Sequence, residues 1–340
     1  SRTPLVQDEP GARVESETEL VQTYLAPLAA GMPGTFGLTD DAALIPHEAG
    51  TDLVFSSDPI IAGVHFFPED TASDVAWKAL AVNVSDMAAK GAKPVAYLLT
   101  LALPEAPERI WMEDFARGLS AAQAEFGCHL IGGDTDRTPG PLAIGVTIIG
   151  SLPSGTFVPR RGAKAGDHVF VTGTIGDSAL GLALHRDPAL FAGVMTDGDK
   201  SLLVGRYLRP RPRVALAEVL REHATAALDI SDGLLKDLSR LAGSLGLKLR
   251  FDALPLSLPV RAALSADARV VDAILGGGDD YELLVAVPPG AIEAFAKGAA
   301  HSGIGVSDIG VLEEGLPLTV FDSRGTRIEA RRFGYDHFSR

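Results

Sequence analysis

Apolar residues recur along this chain in two alternating rhythms, and the rhythm predicts the elements. Ser16 and Glu19 form a capping box ahead of an apolar-periodic stretch, so a helix is expected over 16–30. A Gly/Pro loop follows from Gly31 to Gly37. Leu53-Val54-Phe55 reads as a short buried strand ending at Ser56-Ser57-Asp58. Ala76, Leu80, Val84 and Met87 are spaced by three and four, which predicts a helix over 74–90. The run Tyr97 to Leu103 reads as a strand closed by Pro104, and 105–126 as a helix with Trp111, Phe115 and Leu119 on one face. His129 to Ile131 is a short strand before a Gly132-Gly133-Asp134 corner, and Leu142 to Ile149 is a strand rich in β-branched residues.

The stretch 151–166 is rich in Pro, Gly and Arg and has no period. A second series opens with a strand at His168 to Thr172. Leu208-Arg209-Pro210-Arg211-Pro212-Arg213 is a stiff basic connection, because two prolines stop any helix there. Helices over 213–222 and 231–244 flank a strand at Leu228-Asp229-Ile230, and Leu283 to Val287 is a further buried strand. The expected fold class is α/β (α+β), with two domains in tandem: a mobile tail over 1–15, an N-terminal domain over 16–150 and a C-terminal α/β domain over 151–340.

Composition narrows the function. The 340 residues are 46% hydrophobic and 22% charged, which excludes whole-chain disorder. Thirty basic residues against 44 acidic ones give a net charge of −14, so no nucleic-acid partner is expected. Cys128 is the only cysteine, which excludes an internal disulfide and a cysteine zinc cluster. No apolar run is long enough for a membrane span, and the first 30 residues lack the pattern of a signal peptide. A cytoplasmic protein with no membrane partner is expected.

There is no P-loop, H-E-x-x-H or G-x-S-x-G motif. His185-Arg186-Asp187 mimics a protein-kinase catalytic loop, but the residue five beyond that Asp is Ala192 instead of Asn, so it reads as a solvated helix end. The positive signal is aspartate at the ends of apolar strands: Asp40-Asp41, Asp58, Asp134, Asp229 with Asp232, and Asp279-Asp280. Asp86 joins them from a helix, three residues after Asn83, the only asparagine. Ligands of α/β sheets bind at strand ends. Each Asp alone reads equally well as a helix cap, and Asp86 as a partner of Lys90. As a set they need cations, since two like charges about 4 Å apart repel by roughly 4 kcal/mol at an effective dielectric near 20. Oxygen donors without cysteine favour magnesium or calcium, and carboxylate-held magnesium usually serves phosphates. Gly132-Gly133 lets backbone N–H groups approach an anion, with Arg137 and Arg160 as its counter-charges. The same glycines read equally as a tight corner.

In this order the motifs resemble thiamine-monophosphate kinase, in the aminoimidazole-ribonucleotide synthetase (PurM-like) superfamily. The likeness runs from about Thr39 to Phe338. It includes Asp40-Asp41-Ala42-Ala43, Ser56-Ser57-Asp58 with Gly63-Val64-His65-Phe66, and the specific block Ala79 to Ala89. It continues through Gly132-Gly133-Asp134-Thr135, Arg160 with 162–167, Gly173 to Ser178, Asp229 to Leu234, Asp280-Tyr281-Glu282-Leu283 and Gly334-Tyr335-Asp336-His337-Phe338. The resemblance implies magnesium-dependent transfer of phosphate from ATP to thiamine monophosphate. It implies a homodimer whose N-terminal domains pair into a β-barrel. Carried over, the magnesium ligands are Asp41, Ser56, Ser57, Asp58, Asp86, Asp134, Asp229 and Asp232. The ATP contacts are Gly133, Asp134, Arg160 and Ser231, and the substrate contacts His65, Asp279 and Tyr335. No residue is assigned as a general base, since a phosphate oxygen is already a nucleophile. Tyr335 is a candidate for stacking on the cationic thiazolium.

Three positions depart from the family pattern: Thr39 for a usual Gly, Ser57 for Thr and Asp279 for Glu. The alternatives are another ATP-dependent synthetase of the superfamily and a catalytically silent nucleotide-binding protein. The retained aspartates argue against the silent protein. The absence of a terminal cysteine argues against the selenophosphate synthetase and hydrogenase-maturation relatives.

Overall fold

The computed structural model describes residues 11–46, 48–331 and 333–336. Its described residues form two compact units, one within 1–84 and 94–151, the other within 85–93 and 152–340. Of the segment expected as a tail, 1–10 lie outside the described residues. Within the remainder, Val14 is buried and its N–H donates to Pro107 O (2.9 Å).

In the first unit, Ser16 caps α1 (Glu17–Glu19) by accepting the Glu19 N–H. The Glu19 carboxylate returns to the Glu15 N–H (2.7 Å). The helix continues through a π-helical stretch, Leu20–Leu25, into α2 (Ala26–Ala29). The widening precedes Pro27, which has no N–H for the regular bond back to Thr23.

β1 (Thr51–Ile61), α3 (Ala72–Ala89), β2 (Lys93–Leu103), α4 (Arg109–Phe126), β3 (His129–Arg137) and β4 (Ala143–Pro153) follow. The sheet order is β1-β4-β2-β3, with β1 at an edge that tolerates Pro59. β1 runs to 11 residues where only Leu53-Val54-Phe55 was expected, because Ser56, Ser57 and Asp58 continue it through positions that carry no burial signal. β3 likewise runs through Gly132 and Gly133, where a corner was expected: both stay in the ladder opposite Leu98 and Leu99, just after a bulge at Ile131. This four-stranded sheet is open, so no closed barrel stands among the described residues. Met112, Phe115 and Leu119 of α4 are fully buried, and Trp111 stacks on Phe115 at 5.0 Å.

The second unit holds β5 (His168–Thr172), α5 (Asp177–Arg186), α6 (Asp197–Leu208), α7 (Ala217–His223), β6 (Ala226–Asp229), α8 (Leu234–Ala242) and β7 (Gly246–Arg250). Then come α9 (Leu258–Ala266), α10 (Val270–Gly276), β8 (Leu283–Val287), α11 (Ile292–His301), β9 (Val306–Glu313), β10 (Leu318–Phe321) and β11 (Arg327–Ile328). The seven-stranded order is β11-β10-β7-β9-β5-β8-β6. Leu284 and Ala286 of β8 enter the core with Leu238 and Ile274, while Leu283, Val285 and Val287 enter the opposite core with Phe295 and Leu216. Both faces are therefore covered, which explains a strand apolar at every position. His185-Arg186 closes α5 as a helix end. The helix expected from Ser231 begins at Leu234, because Gly233 has φ +124° and Ser231-Asp232 stay in the loop.

Candidate functional site

In the first unit the candidate residues do not form one cluster: they lie on β1 and β3, the two opposite edges of the sheet, and on the loops before and after β1. Asp41 lies exposed in the loop before β1. Ser56, Ser57 and Asp58 stand on β1 itself. The Ser57 hydroxyl meets β4, at 3.1 Å from Val146 O and 2.9 Å from Thr147 Oγ1. Asp58 is gripped through its backbone: its N–H donates to Asn83 Oδ1 (2.8 Å), and Asn83 Nδ2 donates to Asp58 O (3.1 Å). Asp134 is exposed on β3, and its carboxylate accepts the Thr135 N–H (2.9 Å). Gly133 (φ +148°) lies so close to β2 that a Cβ would overlap Leu99 O. His65 Nδ1 accepts the Ile61 N–H (3.0 Å), which requires a neutral ring at that nitrogen, and His65 O accepts from the buried Lys78 (2.9 Å).

In the second unit Asp86 and Asp229 come together. Ser85 Oγ donates to Asp229 Oδ2 (2.7 Å). Burial and then the Asp86 charge push the Asp229 carboxyl well above the usual carboxylate range, against the Ser85 hydrogen bond. Lys90 does not simply pair with Asp86: its ammonium donates to Ala227 O (2.7 Å). Burial lowers Lys90 to about 8, although Asp229 and Asp86 favour its charged form. Arg160 is exposed and contributes a positive field at Lys90.

The Ser231-Asp232 loop is tied to its neighbours. Ser231 O accepts the Asp279 N–H (2.9 Å), Asp232 O accepts the Tyr335 N–H (2.8 Å), and Lys236 donates to Tyr335 O. The Asp232 carboxylate pairs with Arg240 (2.7 Å) and Lys236 (3.3 Å). Asp279 (φ +67°) and Tyr281 (φ +48°) occupy the left-handed region, a strain that persists where surroundings impose it. The anchors are the acids between and after them. Asp280 accepts N–H groups of Gly176 and Ser178, and burial pushes its carboxyl up to about 8. The fully buried Glu282 accepts from Arg206 (2.6 Å), Arg213 (2.7 Å) and Thr172 (2.6 Å). His337 and Phe338 of the terminal motif lie outside the described residues.

Asn83, Asp237 and Glu282 are supporting residues that were not among the expected site residues. The signal was present for two of them. Asn83 is the only asparagine, set in an apolar helix, and Asp237 falls at helical spacing with Leu234, Leu238 and Leu241. Among the described residues, no group of three or more His, Cys, Asp or Glu could by itself hold a metal ion. The Asp86–Asp229 pair nevertheless suits a hard divalent cation. Its donors are oxygens, a cation would relieve their mutual repulsion, and magnesium uses one or two carboxylates with waters and phosphates.

The fold and these loops define a class. The model for "AIR synthase related protein, N-terminal domain" matches residues 39–152, and that for "AIR synthase related protein, C-terminal domain" matches 164–323. The thiamine-monophosphate kinase of Caulobacter vibrioides is 41% identical over 333 residues, covering 96% of this chain and 92% of that protein. The crystal structure of thiamine-monophosphate kinase from Stenotrophomonas maltophilia K279a is 40% identical, with a TM-score of 0.76 over 85% of this chain and 90% of that one. AaThiL complexed with AMPPCP and TMP is 32% identical, with a TM-score of 0.73 over 88% and 91%. The chain belongs to the thiamine-monophosphate kinase family.

Proposed function

We propose that this protein phosphorylates thiamine monophosphate to thiamine diphosphate, with ATP as donor and magnesium as cofactor. The observation that carries this reading is the 41% identity to a thiamine-monophosphate kinase over 96% of the chain. AaThiL, a homologue complexed with AMPPCP and TMP, supports the pairing of nucleotide and acceptor.

An oxygen of the acceptor phosphate attacks the γ-phosphorus of ATP in line. The new P–O bond completes the diphosphate, the bond to the β-phosphate oxygen breaks, and ADP leaves. The acceptor oxygen is already ionised near neutral pH, so no side chain needs to remove a proton. Bound magnesium would neutralise charge on the phosphates. The residues proposed as magnesium ligands are Asp41, Ser56, Ser57, Asp58, Asp86, Asp134, Asp229 and Asp232, more than a single octahedral ion takes. Gly133, Asp134, Arg160 and Ser231 would face the nucleotide, and His65, Asp279 and Tyr335 the thiamine phosphate. Asp279 is one methylene shorter than the family's Glu, which makes substrate choice the sensitive property of that position.

The protein acts as a homodimer in this reading. β1 supports it: Phe55 is 61% exposed on an open sheet edge that also bares Leu53, and a second sheet would cover both and close a barrel. The reading also places the enzyme in the cytoplasm, without nucleic-acid or membrane partners. No helix among the described residues is long and apolar enough to cross a membrane.

The test is incubation with ATP, magnesium and thiamine monophosphate, with a no-magnesium control. Magnesium-dependent thiamine diphosphate is expected. ATP binding without product would sink the substrate and point to Asp279.

A further inference from the structure

The loop between β6 and α8 is folded around one side chain. Asp237 Oδ2 accepts three consecutive backbone N–H groups, from Ser231 (3.0 Å), Asp232 (2.9 Å) and Gly233 (3.2 Å). Its other oxygen takes Arg240 Nη1 (2.6 Å), and Arg240 Nη2 continues to the Asp232 carboxylate (2.7 Å). Asp237 is fully buried. The Asp237 N–H closes the turn on Gly233 O (3.0 Å). Beside it Lys236 reaches Asp232 and the Tyr335 carbonyl. Three residues of α8, Lys236, Asp237 and Arg240, thus set both the Ser231-Asp232 loop and the backbone of Tyr335.

Three N–H groups converging on one point form an anion nest. Left empty, such a nest attracts any phosphate that approaches it. Here a carboxylate of the chain itself fills it. We propose that Asp237 is a positioning residue for phosphoryl transfer: it holds Ser231 and Asp232 in place and keeps phosphates out of the loop's own nest. This inference rests on the reading that Ser231 and Asp232 serve nucleotide and magnesium.

The test has two independent readouts. The first is amide hydrogen exchange of the full chain without ATP or magnesium. The N–H groups of 231–233 are expected to be protected in the wild type although they lie in a loop. In Asp237→Ala they should exchange about tenfold faster or more, with β5 and β8 amides unchanged. Asp237→Asn retains an acceptor oxygen and should restore most of the protection. The second readout is steady-state kinetics. Asp237→Ala should raise the KM for ATP about tenfold and become sensitive to inorganic phosphate, while Asp237→Asn stays within about threefold. Wild-type amides that exchange freely at 231–233 would overturn the proposal, even if the alanine variant does not fold. So would acceleration spread evenly over the chain, or an unchanged KM for ATP. A wild type that makes no thiamine diphosphate sinks the proposed function instead, and the exchange data still decide the role of Asp237.

Discussion

Asn83 holds Asp58 by both of its backbone groups, accepting the N–H at 2.8 Å and donating to the carbonyl at 3.1 Å. The amide also donates to Ala79 O (3.0 Å) within its own helix, so α3 fixes its orientation. The grip sets the position of an exposed carboxylate at the middle of β1 without touching that carboxylate. Asn83→Ala leaves two strand groups without these partners, and the expected cost is about 1–3 kcal/mol of stability in urea titrations. If Asp58 binds magnesium, half-saturation by magnesium should rise about tenfold in the same variant, as the ligand loses its fixed position. Asn83→Asp keeps the acceptor and loses the donor, and should fall between the two. A variant with wild-type stability and wild-type magnesium dependence would remove Asn83 from the site.

Asp58 and His65 sit seven residues apart and should respond very differently. If Asp58 holds magnesium, its carboxylate acts on the charge developing in the transition state, and Asp58→Ala should lower kcat by about a hundredfold or more. His65 Nδ1 is occupied by the Ile61 N–H, which suits a positioning role and not proton abstraction. His65→Ala should cost about tenfold or less, chiefly in the KM for thiamine monophosphate. A folded His65→Ala enzyme as inactive as Asp58→Ala would contradict the base-free mechanism.

Elements with a strong period were legible in the sequence, and polar segments were not. His168–Thr172 and Leu283–Val287 are found within the residues expected: the first has an apolar centre, Val169-Phe170-Val171, and the second, covered on both faces, is apolar throughout. β1 was cut short at Ser56, since an exposed edge strand carries no alternation to read. β3 reads as ending at Gly132-Gly133, because paired glycines signal a turn, whereas here they stay in the ladder opposite Leu98 and Leu99. The six-residue π-helical stretch has no sequence signal apart from Pro27. The strand-end aspartates were legible as a set. Their supports were legible only as oddities: a single asparagine in an apolar helix and an aspartate on the apolar face of α8. Hydrogen bonding to backbone groups, which gives Asn83 and Asp237 their roles, depends on chain geometry and leaves no spacing pattern.

Stability should fall as pH rises through the neutral range in the absence of magnesium. Burial pushes Asp280 up to about 8 in the folded protein, while an unfolded Asp titrates near its usual 3.8. Between those values the folded state binds the extra proton, so the slope of stability against pH is negative there and levels off above about 8. Asp229 is raised in the same direction. Urea midpoints measured from pH 5 to pH 8 should therefore decrease. Asp280→Asn should flatten part of that slope and leave the share due to Asp229. A midpoint that rises over this interval, or a slope unchanged by Asp280→Asn, would show Asp280 to be ionised in the folded protein, held by the Gly176 and Ser178 N–H groups and the Arg206 charge.

Gly133 offers the sharpest separation of a backbone requirement from a chemical one. Its φ of +148° belongs to a region that side-chain-bearing residues rarely enter, and a Cβ would overlap the carbonyl oxygen of Leu99 on the neighbouring strand. Gly132, one residue earlier, has only the flexible end of Leu98 nearby, at 3.3 Å. Gly133→Ala must part β2 from β3, and a cost of about 3 kcal/mol or more is expected. Gly132→Ala should cost about 1 kcal/mol or less. Both variants place an equally small methyl group beside Asp134, so a purely local effect on nucleotide binding would appear in both. Thermal unfolding of the pair decides between them. A large loss of Tm confined to Gly133→Ala places the requirement in the strand-to-strand approach. Equal small losses with equal loss of ATP affinity would place it in the ligand.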